Sequence, residues 1–316
     1  MRERLQHFPI SFFSVILGLG GFTIALQQIE SLIEIPAIAS TWLVVGVNLL
    51  LVGLLLTYLS KLLIFPESVR AEFAHPIRLA FFPTISISLL LLSIAYLPLQ
   101  ETFADTFWKL GALLHLIFTL TIVSIWINRE HFVITHLNPA WFIPAVGTLL
   151  VPVAGVPLGY YEVSWFFASI GLIFWIVLFT VFIYRIIFHD PLPERLYPTL
   201  AILIAPPAVG AISLIRLTEE LGEPVRILYS FALFLTLLLA LQIPRFFRLR
   251  FALSWWAYSF PVAAVTLATI MMHHATGLTS FRSLAIVLFS ILSLLILVLI
   301  AKTIAAARRR EICVPE

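Results

Sequence analysis

The sequence predicts an all-α integral membrane protein with ten transmembrane helices. Three observations lead there. The 316-residue chain is 61% hydrophobic and 11% charged, where soluble domains hold about 45–50% apolar and about 25% charged residues. Its mean hydropathy is +1.08. Ten apolar stretches reach the roughly 20 residues needed to cross a bilayer core, and prolines interrupt only every second one.

The first stretch, 8–28, follows Arg2 and Arg4 and precedes Ala37-Ile38-Ala39, which resembles a signal-peptidase site. Its apolar run, Phe8 to Leu26, exceeds the roughly 7–15 residues of a signal-peptide core, and the Ala-x-Ala motif lies well beyond it. It is therefore expected as a transmembrane helix. Pro9 stands only at its start, and Gly18, Gly20 and Gly21 lie inside. The second, 42–64, contains no proline. The third, 78–98, holds Pro83, and the fourth, 106–128, holds none. The fifth, 139–157, carries Pro144 and Pro152, and the sixth, 163–187, is uninterrupted. The seventh, 197–217, carries Pro198, Pro206 and Pro207, and the eighth, 225–243, is again intact. The ninth, 252–273, packs Trp255, Trp256 and Tyr258 ahead of Phe260-Pro261, and the tenth, 282–304, has no proline. Short connections make neighbours antiparallel hairpins. No segment is rich enough in Gly, Ser or charge to be a linker, so residues 1–316 are read as a single membrane domain. A lone cysteine, Cys313, excludes an intramolecular disulfide.

Charge supports the count. Ten spans put both termini on one side, and that side receives 15 of the 19 basic residues, Arg129 among them. Only Lys109, Arg216, Arg226 and Arg282 fall opposite, while the acidic residues divide eight and eight. Topology follows Lys and Arg and largely ignores Asp and Glu, so both termini are expected in the cytoplasm.

The alternation of broken and intact helices reads as a two-helix repeat used five times. Backbone groups freed at a kink need protein or water partners, which the broken helices find most simply around a common interior. Proline is tolerated in membrane helices generally, but tolerance alone predicts no alternation. The middles of the spans lack Asp, Glu, Lys and Arg, and the titratable group placed mid-span is His115. On an even, outer helix it reads as a hydrogen-bonded structural histidine, and His273 and His274 read as interfacial. Metal-ligand spacings, nucleotide-binding loops and nucleophile constellations are not found, so no cofactor, no metal and no enzymatic activity are expected. Coupled carriers commonly use a carboxylate or histidine chain at mid-membrane; a passive pore needs only a path and a source of selectivity. Exposed amides at half-helix N-termini attract anions. Arg245, Arg248 and Arg250, just before the ninth span, would concentrate anions at a cytoplasmic mouth; the same charges also serve as plain topology signals.

Four segments carry a family resemblance: VRAEFAHPIRLAFFP (69–83), NPAWFIPAV (138–146), LAILIAPPAVGAISL (200–214) and SWWAYSFPVA (254–263). In this order they resemble the tellurite-resistance/C4-dicarboxylate transporter family, which includes bacterial TehA and the slow-type anion channels of plant guard cells. The resemblance implies five hairpins in quasi-five-fold symmetry, odd helices lining a central pore and even helices outside. It also implies a homotrimer with one pore per protomer, occluded by a ninth-helix phenylalanine that matches Phe260. Pro144, Pro206 and Pro261 match its kink positions. Two departures stand out. Ile16, not proline, precedes Leu17-Gly18-Leu19, which leaves Gly18 as a thinning site. The long terminal regions of the plant channels are missing, so control through such tails is not implied.

Ser14, Gly18, Pro83, Pro144, Gly147, Ala205 and Pro206 are expected near the pore wall, as small or kinking residues on odd helices; small residues also serve plain helix packing. The expected function is a gated channel in the cell membrane for small anions such as chloride or nitrate. A carrier of C4-dicarboxylates, sulfite or tellurite-related oxyanions is the alternative, and a non-conducting scaffold or sensor is a third reading. The expected partners are small anions, membrane lipid and copies of the chain itself, with no nucleic acid.

Overall fold

The computed structural model describes residues 2–128, 132–246 and 248–314; Arg129, counted above on the basic side, lies outside them. Among the described residues, nine helices are long and apolar enough to cross a membrane. They are α1 (Ile10–Leu32), α2 (Ile38–Ile64), α3 (Arg78–Tyr96), α4 (Glu101–Asn128), α6 (Tyr161–Phe188), α7 (Glu194–Thr218), α8 (Glu223–Ala240), α9 (Leu253–Thr276) and α10 (Thr279–Arg308). The stretch expected as the fifth span is a shorter apolar helix, α5 (Pro139–Gly155). The short helices Arg2–Gln6, Pro66–Ala74 and Ile243–Phe246 were not foreseen.

Every odd helix opens with a tight 3-10 stretch before turning α-helical. The joints fall at Phe13/Ser14 in α1, between Phe81 and Thr84 in α3, at Ile204/Ala205 in α7 and at Tyr258/Ser259 in α9. The even helices are α-helical from end to end. Proline explains most of this difference. The first amides of an α-helix have no intrahelical acceptor, so proline is accepted there. Pro83 immediately precedes the α part of α3, and Pro206 stands in the first turn of the α part of α7. In α1 the same switch occurs without a proline at the joint.

α5 is the most broken, in four pieces: Pro139–Trp141, Phe142–Val146, Gly147–Leu150 and Val151–Gly155. Its carbonyls are met by side chains. Thr119 Oγ1 of α4 donates to the Pro144 carbonyl at 2.6 Å, and Trp108 Nε1 of α4 donates to the Val151 carbonyl at 2.9 Å. Ser213 Oγ of α7 donates to the Leu149 carbonyl, and Thr148 Oγ1 to Ala145 at 3.0 Å. Irregular backbone is tolerated at membrane depth only when satisfied in this way.

Burial separates the two sets. In the apolar cores of α1, α3, α7 and α9, 61–83% of residues are buried; in the even helices the share is 22–33%. The odd helices pack in cyclic order, α1 on α3, α3 on α5, α5 on α7, α7 on α9 and α9 on α1. Their 3-10 starts touch in the same cyclic order, so these helices run parallel with their N-terminal ends together. Each even helix packs on the odd helix preceding it, and α10 also packs on α1.

One buried ion pair ties this bundle at the N-terminal end of α1. Lys61 Nζ, at the end of α2, lies 2.7 Å from Glu72 Oε2 of the Pro66–Ala74 helix, with both side chains 3% exposed. Glu72 also accepts hydrogen bonds from the Ile10 amide (2.9 Å) and the Tyr58 hydroxyl (3.0 Å), and Lys61 donates to the Phe8 carbonyl (2.8 Å). Each charge thus has more than one partner in a place where a lone one would be costly.

Candidate functional site

A small cavity of about 70 Å³ lies where the five odd helices change from 3-10 to α-helix. All five contribute. Ser14 comes from α1, Phe81 from α3, Phe142 and Gly147 from α5, Ala205 and Pro206 from α7, and Phe260 and Pro261 from α9. Leu17, Ile87, Val146 and Val209 continue the lining along the α-helical parts, and Ile143, Leu150, Ile202, Trp256 and Ala257 complete it.

The wall is almost wholly apolar. Ser14 carries its one hydroxyl, and the indole N–H of Trp256 is used at 2.9 Å on Thr303 Oγ1 of α10. Among the described residues, no ionisable side chain lines it. The α-helical parts of the parallel odd helices begin at this level, and the amides at the joints are bonded to the 3-10 turn before them: Ser14 N–H to Ser11, Phe142 N–H to Pro139, Ala205 N–H to Ile202 and Ser259 N–H to Trp256.

Phe260 is half-buried, with its ring between this cavity and α1. The close approach depends on glycine. A Cβ on Gly21 would lie 3.2 Å from Phe260 Cδ2 and 3.0 Å from Ala263 Cβ. One turn earlier, a Cβ on Gly18 would meet Ser259 Oγ at 2.2 Å and Trp256 Cε3 at 2.8 Å. Both glycines thin α1 against α9.

Of the residues singled out in the sequence, the cavity brings together Ser14, Gly147, Ala205, Pro206, Phe260 and Pro261. Gly18, Pro83 and Pro144 are not among its lining. Gly18 packs helix on helix, Pro83 leads the α part of α3, and the Pro144 carbonyl is bonded by Thr119. Arg245, Arg248 and Arg250 are exposed on the approach to α9. The apolar lining residues, among them Phe81, Phe142 and Ile87, carry no sequence signal that separates them from ordinary core positions. His115 is hydrogen-bonded and buried, as expected. It belongs to an even helix and its Nδ1 is 2.9 Å from Ser86 Oγ, but its ring points inward against Gly147.

Comparison with known proteins agrees with this architecture. The family described as SLAC1, voltage-dependent anion channel, matches residues 7–304. The chain is 30% identical over 314 residues to the S-type anion channel SLAH3 of Arabidopsis thaliana, covering 96% of this chain and 49% of that protein. It is 25% identical over 328 residues to the uncharacterized transporter MJ0762 of Methanocaldococcus jannaschii, covering 96% of each. It is also 25% identical over 299 residues to the tellurite resistance protein TehA homolog of Haemophilus influenzae, covering 93% of this chain and 90% of that protein. The chain spans 49% and 60% of the lengths of the plant relatives SLAH3 and SLAH2. With a family match over nearly its whole length and a multi-pass helical fold, this chain belongs to the voltage-dependent anion channel family.

Proposed function

We propose that the protein is a gated channel for small monovalent anions, with the pore running through the ring of odd helices and closed by Phe260. The observation that carries this reading is the cavity itself: all five odd helices line it, no charged side chain among the described residues does, and the Phe260 ring stands in its wall. Such a wall lets an anion pass without a fixed cation that would hold it too tightly. In this reading α5 is the fifth of ten spans, arranged as five hairpins in quasi-five-fold symmetry. The 3-10 parts of α5 rise about 2.0 Å per residue instead of about 1.5 Å, so it reaches further than an α-helix of its length. In this reading both termini lie in the cytoplasm, with Arg245, Arg248 and Arg250 at the cytoplasmic mouth, and the excess of basic residues on one side supports it. The assembly is a homotrimer in the cell membrane, as the family resemblance suggests.

A carrier of dicarboxylates or tellurite-related oxyanions is the second reading, motivated by relatives named as a transporter and a tellurite resistance protein. The cost of desolvating an ion rises with the square of its charge, and the cavity offers one hydroxyl and no cation. That balance favours monovalent anions. The deciding experiment is electrophysiology of reconstituted wild type and Phe260→Ala under bi-ionic conditions with chloride, nitrate, sulfite and malate. The expected result is a constitutive conductance in Phe260→Ala that passes chloride and nitrate before malate. Equal currents from the two proteins would remove Phe260 as the gate.

A further inference from the structure

We propose that His115 is a proton-binding site linked to the anion in the cavity, so that a proton on its Nε2 and an anion beside Gly147 stabilise each other. The inference rests on the pore reading above and adds to it a titratable partner for the permeant ion.

The imidazole of His115 is 0% exposed although α4 is an outer helix. Its tautomer follows from Ser86. The Ser86 hydroxyl has one hydrogen, and it donates that hydrogen to the Pro83 carbonyl at 2.8 Å. The 2.9 Å contact between Ser86 Oγ and His115 Nδ1 is therefore Nδ1–H donating to the hydroxyl oxygen. A neutral imidazole with its hydrogen on Nδ1 carries a lone pair on Nε2. That nitrogen is buried and has no hydrogen-bond partner among the described residues.

The open nitrogen faces the cavity wall. A Cβ on Gly147 would lie 2.9 Å from His115 Nε2 and 2.8 Å from Cε1, with Ile87 Cδ1 also at 2.8 Å. Gly147 and Ile87 both line the cavity. One glycine backbone therefore separates Nε2 from the space an anion would occupy.

Among the described residues, a protonated His115 has no carboxylate beside it. α5 contains no titratable side chain, and those of α3 are Arg78 and Tyr96 near its ends. On α4, Glu101 opens the helix, and Asp105 is held by Lys109 at 2.7 Å and by the Tyr160 hydroxyl at 2.7 Å. Lys61, by contrast, is buried directly against Glu72. A proton on His115 is thus uncompensated when the cavity is empty and compensated when it holds an anion. At such short range in a poorly screened interior the attraction is large, and the linkage is reciprocal.

The test uses the full chain in lipid nanodiscs with 15N-labelled histidine, titrated with nitrate between about pH 5 and pH 8, the range in which histidines ordinarily titrate. The His115 signal is identified by its loss in His115→Gln and independently by its shift in Ser86→Ala. Nitrate is expected to convert Nε2 from its unprotonated to its protonated form. Nitrate affinity is expected to strengthen about tenfold per pH unit of acidification, the slope for one proton taken up per anion, and to lose that slope in His115→Gln. An Nε2 that stays unprotonated under saturating nitrate overturns the inference, as does the same slope in His115→Gln. Conduction by Phe260→Ala without proton uptake would leave the pore reading standing and remove this one. Proton uptake with no conduction would do the reverse.

Discussion

The ring of Phe260 rests against the bare backbone of Gly21: a methyl group there would come within 3.2 Å of Phe260 Cδ2 and within 3.0 Å of Ala263 Cβ. The glycine leaves the ring its space beside α1. In the gating reading proposed above, Gly21→Ala takes away room the ring needs to withdraw from the cavity. The expected outcome is a lower anion flux from liposomes for Gly21→Ala than for wild type, with no such decrease when the change is made in Phe260→Ala. A double-mutant cycle measures that coupling. An equal decrease in both backgrounds would assign the effect to α1–α9 packing and not to the ring.

Gly18 is a structural position. Its missing side chain accommodates Ser259, whose Oγ and Cβ would lie 2.2 Å and 2.9 Å from an added Cβ. Ser259 is itself fixed by donating to the Trp256 carbonyl at 2.6 Å. Gly18→Ala is expected to cost about 1–3 kcal/mol, the usual range for overpacking, read as a lower melting temperature in detergent. Adding Ser259→Gly should recover part of the loss, with Trp256 Cε3 still 2.8 Å away. No recovery would mean that the clash is taken up elsewhere.

The Lys61–Glu72 pair should be the most sensitive ionic contact. Glu72→Ala leaves an ammonium group buried with the Phe8 carbonyl as its remaining partner. Removing one member of a buried pair costs about 3–5 kcal/mol. Loss of monodisperse protein on size-exclusion chromatography is the expected outcome. Lys61→Met with Glu72→Leu should restore part of the yield. The restoration is incomplete because the Ile10 amide and the Tyr58 hydroxyl still lack their acceptor.

The breaks in α5 depend on borrowed donors. Trp108→Phe removes the N–H that meets the Val151 carbonyl at 2.9 Å. Hydrogen bonds between membrane helices contribute about 0.6–2 kcal/mol each, so a loss of that size in thermal stability is expected. The readout is faster amide hydrogen exchange in residues 147–155 with α4 and α6 unchanged. Unchanged exchange would show that the carbonyl finds another partner.

Much of the architecture was legible in the chain because it is written in local chemistry. Apolar runs set the helices, and the prolines at 83, 144, 206 and 261 mark four of the five that break, α1 breaking without one at its joint. The alternation matches the observed burial, with α1, α3, α7 and α9 inside and the even helices outside. The exception is the span expected at 139–157, which is shorter because α5 is broken into four pieces. Pro261 and Phe260 were found by motif, and the cavity does include them. Gly18 was expected near the wall and instead packs against Ser259, a partner that spacing along α1 cannot reveal. The Lys61–Glu72 pair was missed because a charge near a helix end ordinarily reads as solvated.

The sequence by itself determined an all-helical membrane protein, the alternation of broken and intact helices, and the excess of basic charge on one side. Each of these depends on composition or on residues within a turn of one another. Only the tertiary structure decided that the five 3-10 joints meet at one level, that Phe260 lies between Gly21 and the cavity, and that the outer-helix His115 points inward at Gly147. These are contacts between residues far apart in the chain. They are set by which helices pack together and by the missing side chains of a few glycines, neither of which is encoded in any single stretch.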